Sequence, residues 1–507
     1  MNSKSSQDAR YNMVVIGAGA AGLVTAYIAA MLKAKVALIE EHAMGGDCLN
    51  TGCVPSKALI KTARLVHQIH QHQRYGVRLG HCEVDFAMVM DRVRQVVRDI
   101  SPHDSVERYE RLGVECISGR AEIKDPHHVR VNGRTLQTKS LVLALGAAPI
   151  VPAIPGLHDV SPLTSENLWN ERELPKKLAV LGGGPIGCEM AQAFARLGSE
   201  VFLIDREPHL LSKEDPDMAE WVAKSMTADG VKLYLGYEAR EIIPGSPHHI
   251  CLRRLHEGNS PPPAAPHSPA QPTKNDGKNT LKIPFDKILV AVGRRARTDQ
   301  HDWKELGISL NPDGTLKADR YLRLNGKSIY ACGDVVGPYQ LTHAASHQAW
   351  YCAVNGLFSP WKKFAVDYRV IPWVTFTDPE FARVGLSEKE ARLQGIAHQV
   401  TRYGLDDFDR ALADSENRGE IKILTHPKND EILGVSIVGT AAGDMLAEFT
   451  LAMKWRLGLK SILRTIHPYP TWSEANKYGA SAWAREKSQI LLQRVDPLLS
   501  TFHRWRR

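Results

Sequence analysis

The sequence feature that most constrains the fold is a glycine-rich turn that occurs twice, each time between two apolar strands. The first copy spans residues 13–40 and contains Gly17-Ala-Gly-Ala-Ala-Gly22. The second spans residues 178–205 and contains Gly182-Gly-Gly-Pro-Ile-Gly187. A strand, a Gly-x-Gly-x-x-Gly turn, a helix and a second strand form the unit that binds dinucleotides. Two such units predict an α/β chain that binds two dinucleotides.

The three glycines of each turn have separate tasks. The first permits a tight turn, the second lets the backbone approach a pyrophosphate, and the third lets the helix pack on the strand. The N-terminus of the helix adds N–H groups and a positive dipole end. We assign these tasks to Gly17, Gly19 and Gly22 in the first unit and to Gly182, Gly184 and Gly187 in the second.

An acidic residue ends the second strand of each unit. Glu40 and Asp205 are placed to accept hydrogen bonds from a ribose. In the second unit a carboxylate accepts from a 2′-hydroxyl and repels a 2′-phosphate, so Asp205 favours NADH over NADPH. Arg206 is adjacent and could soften that preference.

Length and composition predict a large protein with several domains. At 507 residues, 43% of them hydrophobic and 24% charged, the chain is too long for one core. The net charge of +8 comes without a long run of lysines or arginines, so no nucleic-acid partner is predicted. No uncharged apolar run reaches about 18 residues, which predicts no membrane span.

The cysteines and the first residues bear on the compartment. Eight cysteines are scattered along the chain apart from Cys48 and Cys53, unlike the dense frameworks of secreted scaffolds. Residues 1–11 are polar and lack the pattern of an export signal. We therefore expect a cytoplasmic protein with one specialised cysteine pair and no resident metal site.

The segment Gly45-Gly-Asp-Cys-Leu-Asn-Thr-Gly-Cys-Val-Pro-Ser-Lys57 contains that pair. Cys48 and Cys53, at the start of a predicted helix, can close a small disulfide ring. A thiol at a helix N-terminus also has a lowered pKa, which makes its thiolate available near neutral pH. This segment resembles the redox-active motif of the class I pyridine nucleotide–disulfide oxidoreductases.

The resemblance implies roles for four residues and two cofactors. Cys48 would be the interchange thiol that meets the substrate, and Cys53 the charge-transfer thiol beside the flavin of FAD. Lys57 would contact the flavin and pair with an acid that matches Glu189. Electrons would pass from NAD(P)H through FAD to the cysteine pair.

Further resemblances extend over most of the chain. Leu143-Ala-Leu-Gly-Ala-Ala-Pro149, which contains Gly146, and Val290-Ala-Val-Gly-Arg294, which contains Gly293, look like the crossover segments between the nucleotide domains. Ile329-Tyr-Ala-Cys-Gly-Asp334 looks like the second FAD motif, in which Asp334 would hold the ribityl chain. Residues 376–385 resemble the start of the family's dimerisation domain, which implies a homodimer whose 467–474 segment works on the partner's cysteine pair.

These marks divide the chain into five segments, of which the second contains an insertion and the last is a helical tail. Residues 256–280, with six prolines and little apolar content, are expected to form a disordered insertion. The predicted helical tail is interrupted at Pro497, and its basic end is a weak candidate for peripheral membrane contact. The segments are an FAD-binding part (1–155), an NAD(P)-binding domain (156–290), a second FAD-binding part (291–368), an α+β dimerisation domain (369–480) and the tail (481–507).

The sequence departs from the family at His467-Pro-Tyr-Pro-Thr-Trp-Ser-Glu474. Disulfide reductases of the family place a His before the Pro-Thr pair and orient it with a Glu that matches Glu474. Here Tyr469 stands in the His position, and a phenol with a pKa near 10 is a poor proton shuttle at neutral pH. A Tyr there resembles the mercuric reductase branch, although the C-terminal cysteine pair of that branch is missing.

These observations predict a reductase that acts on a metal ion or another thiol-reactive acceptor. Two alternatives remain open. The first is an oxidoreductase similar to dihydrolipoamide dehydrogenase that tolerates the missing His. The second, of another class, is a redox-sensing flavoprotein scaffold.

Overall fold

A computed structural model describes residues 9–255, 280–325 and 328–506 of the protein. The insertion expected at residues 256–280 therefore lies outside the described residues, except for Thr280, which begins a strand. No helix in these three ranges is long and apolar enough to cross a membrane.

The first part of the chain builds a mainly parallel sheet around the first glycine-rich turn. Strand β1 pairs in parallel with β2 and β6, which places the apolar run of residues 13–16 at the centre of the sheet. The elements are β1 (Ala9–Ile16), α1 (Ala20–Met31), β2 (Val36–Glu40), α2 (Gly46–Asn50), α3 (Cys53–His70), α4 (Phe86–Ile100), α5 (Val106–Arg111), β3 (Val114–Ser118), β4 (Glu122–Asp125), β5 (His128–Val131), β6 (Arg134–Leu143) and β7 (Ala147–Pro149).

The second glycine-rich turn lies in a separate four-stranded parallel sheet with the order β10-β9-β8-β14. A three-stranded antiparallel sheet, β11-β12-β13, follows β10 in the chain. The elements are β8 (Lys177–Leu181), α6 (Pro185–Leu197), β9 (Glu200–Asp205), α7 (Pro216–Ala228), β10 (Lys232–Leu235), β11 (Tyr237–Ile243), β12 (His248–Arg254), β13 (Thr280–Phe285) and β14 (Lys287–Val290).

The chain then returns to the first sheet. Strand β17 pairs in parallel with β6, and β15 pairs antiparallel with β7, so the outgoing and returning crossovers lie side by side. Helix α8 packs against α1. The elements are β15 (Arg294–Ala296), β16 (Arg323–Leu324), β17 (Ile329–Ala331) and α8 (Thr342–Phe358).

The last part forms a five-stranded antiparallel sheet with the order β18-β19-β22-β21-β20. Helix α11 packs on β19 and β22, and α13 packs on β20. The elements are β18 (Pro372–Thr375), β19 (Glu380–Gly385), α9 (Glu388–Leu393), β20 (Gln399–Gly404), α10 (Asp409–Ala413), β21 (Glu420–Thr425), β22 (Ile432–Gly439), α11 (Ala442–Lys454), α12 (Leu459–Arg464) and α13 (Glu474–Trp505).

The architecture confirms the α/β class with two dinucleotide units and a C-terminal α+β domain. The expected interruption of the tail at Pro497 is wrong, because α13 continues through this residue to Trp505. A proline removes one backbone donor and strains the preceding turn, and a long helix can continue with that local loss. Helix α13 also crosses residue 480 without a break, so the tail is not a separate element.

Candidate active site

The two acidic residues that end the second strands occupy equivalent positions. Glu40 accepts hydrogen bonds from the backbone N–H of Ala18 at 2.6 Å and of His42 at 2.8 Å. Asp205 accepts in the same way from the N–H of Gly183 and, at 2.8 Å, of Glu207. Each carboxylate is therefore fixed beside its own glycine-rich turn.

The turns bring helix N-termini to the sheet edge, with open space beside the second one. Helices α1 and α6 begin directly after Gly19 and Gly184, both in extended conformation. A Cβ atom added at Gly184 would meet nothing within 4 Å. At Gly22, by contrast, an added Cβ would lie 1.7 Å from the carbonyl oxygen of Gly17, so only glycine permits this helix to approach its turn.

The cysteine-containing loop packs directly on the first of these turns. The N–H of Gly45 donates to the carbonyl of Ala18 at 2.9 Å. Gly46 has φ +55°, and a Cβ there would lie 2.6 Å from the Cα of Gly19. This close contact holds the redox pair next to the site where the first dinucleotide unit would hold its ligand.

The sequence placed Cys48 and Cys53 at the start of one predicted helix, but the structure has two helices here. Cys48 lies in the short helix α2, and Cys53 is the first residue of α3. Between them Thr51 and Gly52 leave the helical region, with φ/ψ of −136°/−2° and −117°/−106°. Both thiols are free in this structure, Cys48 partly buried and Cys53 exposed.

The two thiols differ in acidity. A hydrogen bond from Cys48 is the main cause that lowers the pKa of Cys53 to about 6, and contacts with Thr342 and Lys57 act in the same direction. The same hydrogen bond, together with burial, raises the pKa of Cys48. The directions of the two shifts favour Cys53 as the thiolate and Cys48 as the thiol that donates to it.

Lys57 and Glu189 meet where three parts of the chain converge. The Lys57 ammonium lies 2.8 Å from Glu189 on α6 and 4.4 Å from the centre of the Phe376 ring. The Glu189 carboxylate is buried and accepts from the N–H of Phe376 at 2.9 Å. This ion pair thus connects the redox helix with the second nucleotide unit and the C-terminal domain.

The crossover segments place a partly buried charge cluster near the cysteine loop. Gly146 and Gly293 immediately precede the crossover strands β7 and β15, and both have positive φ. Arg294 forms an ion pair with Asp47 at 2.9 Å, and its Nε lies 3.7 Å from Asp334. Burial raises the pKa of Asp334, and Arg294 opposes this shift.

Three members of this region, Asp47, Arg294 and Thr342, were not among the residues assigned from the sequence. Asp47 and Arg294 stand inside segments that were recognised, but nothing in their spacing indicates that they would pair. Thr342, whose hydroxyl lies 3.4 Å from the Cys53 sulfur, begins α8, far along the chain. These contacts depend on the tertiary fold and carry no local signal.

The 467–474 segment lies on the C-terminal domain, and no hydrogen bond within the described chain joins it to the cysteine pair. The Tyr469 side chain is 66% exposed, and its hydroxyl donates to Asp409 at 2.9 Å. Glu474 is buried, and its Oε2 has no hydrogen-bond partner among the described residues. His467 is bonded to Glu448 at 3.0 Å.

Comparisons with known proteins agree with this geometry. Residues 11–349 match the family described as pyridine nucleotide-disulphide oxidoreductase, and residues 371–479 match the dimerisation domain of that family.

Similar proteins include two differently named enzymes. A dihydrolipoyl dehydrogenase from Chlamydia muridarum is 34% identical over 92% of this chain and 95% of its own length. A mercuric reductase from Bacillus cereus is 30% identical over 97% of this chain and 74% of its own length.

A solved structure has a similar fold. The HOCl-induced flavoprotein disulfide reductase RclA from Escherichia coli superimposes with a TM-score of 0.78 at 27% identity, covering 93% of this chain and 99% of that one. RclA has also been solved as a Cu(II) complex, which superimposes with a TM-score of 0.77 at 26% identity over the same shares of both chains.

Proposed function

The chain belongs to the pyridine nucleotide–disulphide oxidoreductase family, and on that basis we propose that it reduces a metal ion with electrons from NAD(P)H. It is an FAD-dependent NAD(P)H oxidoreductase with a redox-active cysteine pair, as its family and relatives are. The proposal concerns the acceptor and the tasks of individual residues.

The residues of the first unit fit FAD. The N-terminus of α1, where no side chain caps the helix, suits the pyrophosphate, and the fixed carboxylate of Glu40 suits a ribose. Asp334, partly buried next to Arg294, is suited to accept hydrogen bonds from ribityl hydroxyls. We assign Gly17, Gly19, Gly22, Glu40, Gly146 and Asp334 to FAD, and Gly182, Gly184, Gly187, Asp205 and Gly293 to the nicotinamide nucleotide. When bound, FAD takes up the hydride of the reduced nicotinamide and supplies two electrons to the Cys48–Cys53 disulfide.

NADH is the proposed nucleotide. Asp205 holds its carboxylate at the turn, where a 2′-phosphate would be repelled. Arg206, the nearest candidate to offset that repulsion, is directed toward Glu238, with 3.8 Å between the charged atoms. Its side chain is 71% exposed, which limits the attraction it can offer a phosphate.

Within the redox centre we assign distinct roles to the two cysteines. Cys48, the thiol with the raised pKa, is the interchange residue that meets the acceptor, and Cys53, the thiolate, faces the flavin. Lys57, fixed by Glu189, keeps a positive charge near the thiolate and the flavin. Cys48 and Cys53 together offer two soft sulfur ligands to a metal ion.

The observation that carries the choice of acceptor is the environment of Tyr469. Its hydrogen bond to Asp409 raises the pKa of the phenol, which leaves less of the phenolate that could accept a proton at neutral pH. The ring of His467 forms its hydrogen bond with a different residue, Glu448. A dithiol substrate requires proton removal, whereas a metal ion held by thiolates needs only electron transfer and ligand exchange. The names of a mercuric reductase relative and of the RclA Cu(II) complex support this choice.

Two other functions remain as alternatives. The similarity to a dihydrolipoyl dehydrogenase favours a disulfide or dithiol substrate. A redox-sensing scaffold would accept electrons from NADH into its flavin without sustained turnover.

An acceptor screen combined with Tyr469→His tests the proposal. The wild type should oxidise NADH with Hg(II) or Cu(II) and only weakly with lipoamide or glutathione disulfide. Tyr469→His should raise the disulfide or dithiol rates, since acid–base help of this kind contributes roughly 10²–10⁴-fold. Tyr27→His, which changes another exposed tyrosine, controls for adventitious effects of an added imidazole.

Each alternative has its own outcome in that screen. Wild-type lipoamide turnover on the order of 10²–10³ s⁻¹ would favour the dehydrogenase alternative. Flavin reduction without sustained NADH oxidation by any acceptor would favour the sensor.

A further inference from the structure

Tyr469 is held by a part of the C-terminal domain that the family resemblance did not point to. Helix α10 is anchored in the core of that domain by Phe408 and Ala411, both buried. The segment that carries Tyr469 lies against it: the Trp472 ring is 6.1 Å from that of Phe408, and its indole N–H donates to Asp414 at 3.0 Å. This packing fixes the position of Tyr469 relative to the first residue of α10, Asp409.

The hydroxyl of Tyr469 uses its proton in a hydrogen bond to that residue. The Oη of Tyr469 lies 2.9 Å from Oδ2 of Asp409. The proton of the phenol is therefore directed at a carboxylate, which leaves the lone pairs of the oxygen for another partner.

Glu474, the acid that the resemblance implies for orientation, does not take this part. Its side chain is buried, and its Oε2 has no hydrogen-bond partner among the described residues. The contact with Tyr469 comes from a different element of the domain.

We propose that Asp409 is a positioning residue that makes the Tyr469 oxygen an acceptor directed at a cationic metal. Because the phenol proton is donated to Asp409, only the lone pairs of the oxygen are free to face the acceptor. A metal cation bound by the cysteine pair of the partner subunit can use those lone pairs. A disulfide that needs a proton for its leaving thiolate cannot. This inference rests on the proposed function and narrows its acceptor to cations.

The test compares four variants with Cu(II) and Hg(II) as acceptors: Asp409→Asn, Tyr469→Phe, the double variant and Asp407→Asn. Asp407 is exposed, lies two residues from Asp409, and loses the same charge in its variant. Asp409→Asn replaces a charge-assisted hydrogen bond by a neutral one, and Tyr469→Phe removes the bond, so each should lower kcat/KM for the metal by about three- to tenfold. The double variant should be no worse than either single one, and Asp407→Asn should stay within about twofold.

A second measurement needs no acceptor at all. For this measurement, 3-fluorotyrosine is incorporated at position 469 of the full-length protein. Its phenol is more acidic than that of tyrosine, and ¹⁹F NMR follows its titration. Asp409→Asn should lower the pKa of this phenol, and Asp407→Asn should leave it in place. FAD content and circular dichroism show that each variant is folded.

The outcomes separate this inference from the proposed function. If Asp409→Asn shifts the phenol pKa but the wild type reduces lipoamide and no metal, the interaction of Tyr469 with Asp409 would be supported and the proposed metal acceptor refuted. Equal titrations in wild type and Asp409→Asn, or additive losses in the double variant, would overturn the role of Asp409 whatever the acceptor.

Discussion

Cys48 and Cys53 differ in position and in acidity although they share one hydrogen bond. Cys53 begins α3, and Cys48 ends up in a separate short helix. The hydrogen bond from Cys48 acts more strongly on Cys53 than the other groups around it do. The motif identified the pair and implied that Cys53 is the charge-transfer thiol, and the contacts made in the fold favour the negative charge on the same sulfur.

Replacing each cysteine should have different spectral effects. In the two-electron-reduced protein, Cys53→Ser should abolish the long-wavelength thiolate-to-flavin absorption, because it removes the thiolate. Cys48→Ser should show that band without reduction, since Cys53 is then left as a free thiolate. Absorption spectra during anaerobic titration measure both. Spectra that neither change alters would refute the assignment.

The same band should depend on pH in a direction that the thiolate sets. The pKa of Cys53 is lowered to about 6, so the band should be present above that pH and disappear as the pH falls through it. Cys48→Ala removes the donor that contributes most to this shift, so the midpoint should rise. Cys48→Ser keeps a donor and serves as the matched control. A midpoint equal in the two variants would show that the hydrogen bond is not the cause.

Asp205 should set the nucleotide preference. The wild-type ratio of kcat/KM for NADH over NADPH should exceed one, and Asp205→Ser should move it toward NADPH by removing the repulsion of a 2′-phosphate. Steady-state kinetics with both nucleotides measure the ratio. A wild type that prefers NADPH, with a preference that Arg206→Ala reverses, would show that Arg206 governs instead.

At the scale of secondary-structure elements, the sequence predicted the two strand–turn–helix–strand units. It did not predict the break between α2 and α3 or the continuation of α13 through Pro497. Both strand–turn–helix–strand units follow from a glycine pattern with a geometric cause, the contact of Gly22 with Gly17. The break between α2 and α3 had no such signal, because it depends on the backbone at Thr51 and Gly52. Pro497 led to the opposite error, because it predicted an interruption where the helix continues. The backbone donor lost at the proline does not end a helix that is anchored upstream.

Helix α13 should tolerate truncation at its end but not near its anchor. Trp483 is only 4% exposed, and the Glu486 carboxylate accepts from Thr401 at 3.0 Å, so this stretch belongs to the domain core. Deleting residues 497–507 should leave FAD content and flavin reduction intact. Deleting 481–507 should cost at least about 3–5 kcal/mol of stability, the loss of one buried Trp, and lower the Tm strongly. Differential scanning calorimetry measures both. Loss of FAD in the shorter deletion would make the last residues structural.

At the scale of the whole molecule, the redox centre joins parts of the chain that are far apart in sequence. Lys57, Glu189 and Phe376 come from three domains, and Arg294 adds a fourth segment next to the cysteine loop. The family motifs indicated most of these segments singly. Their contacts could not be predicted from the sequence, because each depends on how the domains pack.

One surface of the C-terminal domain is a candidate subunit interface. Leu451, Trp455 and Ile466 are 58%, 71% and 92% exposed, and Ile466 lies three residues before Tyr469. The chain carries the family's dimerisation domain, and large exposed apolar side chains of this kind mark subunit interfaces. We expect this surface to bring the 467–474 segment to the cysteine pair of the partner.

Trp455→Glu should therefore separate the two half-reactions. An unpaired charge buried at the interface should raise the dimer dissociation constant by about a hundredfold. Reduction of the flavin by NADH should persist in the dissociated protein, because the nucleotide turns and both cysteines lie on one chain. Metal reduction should fall on dilution, because the partner's Tyr469 is lost. Analytical ultracentrifugation and stopped-flow kinetics follow the two effects. Trp361→Glu, at a tryptophan that is 94% exposed on a different segment, is the control and should leave the dimer intact. A monomeric Trp455→Glu protein that reduces metal at the wild-type rate would show instead that each subunit contains a complete site.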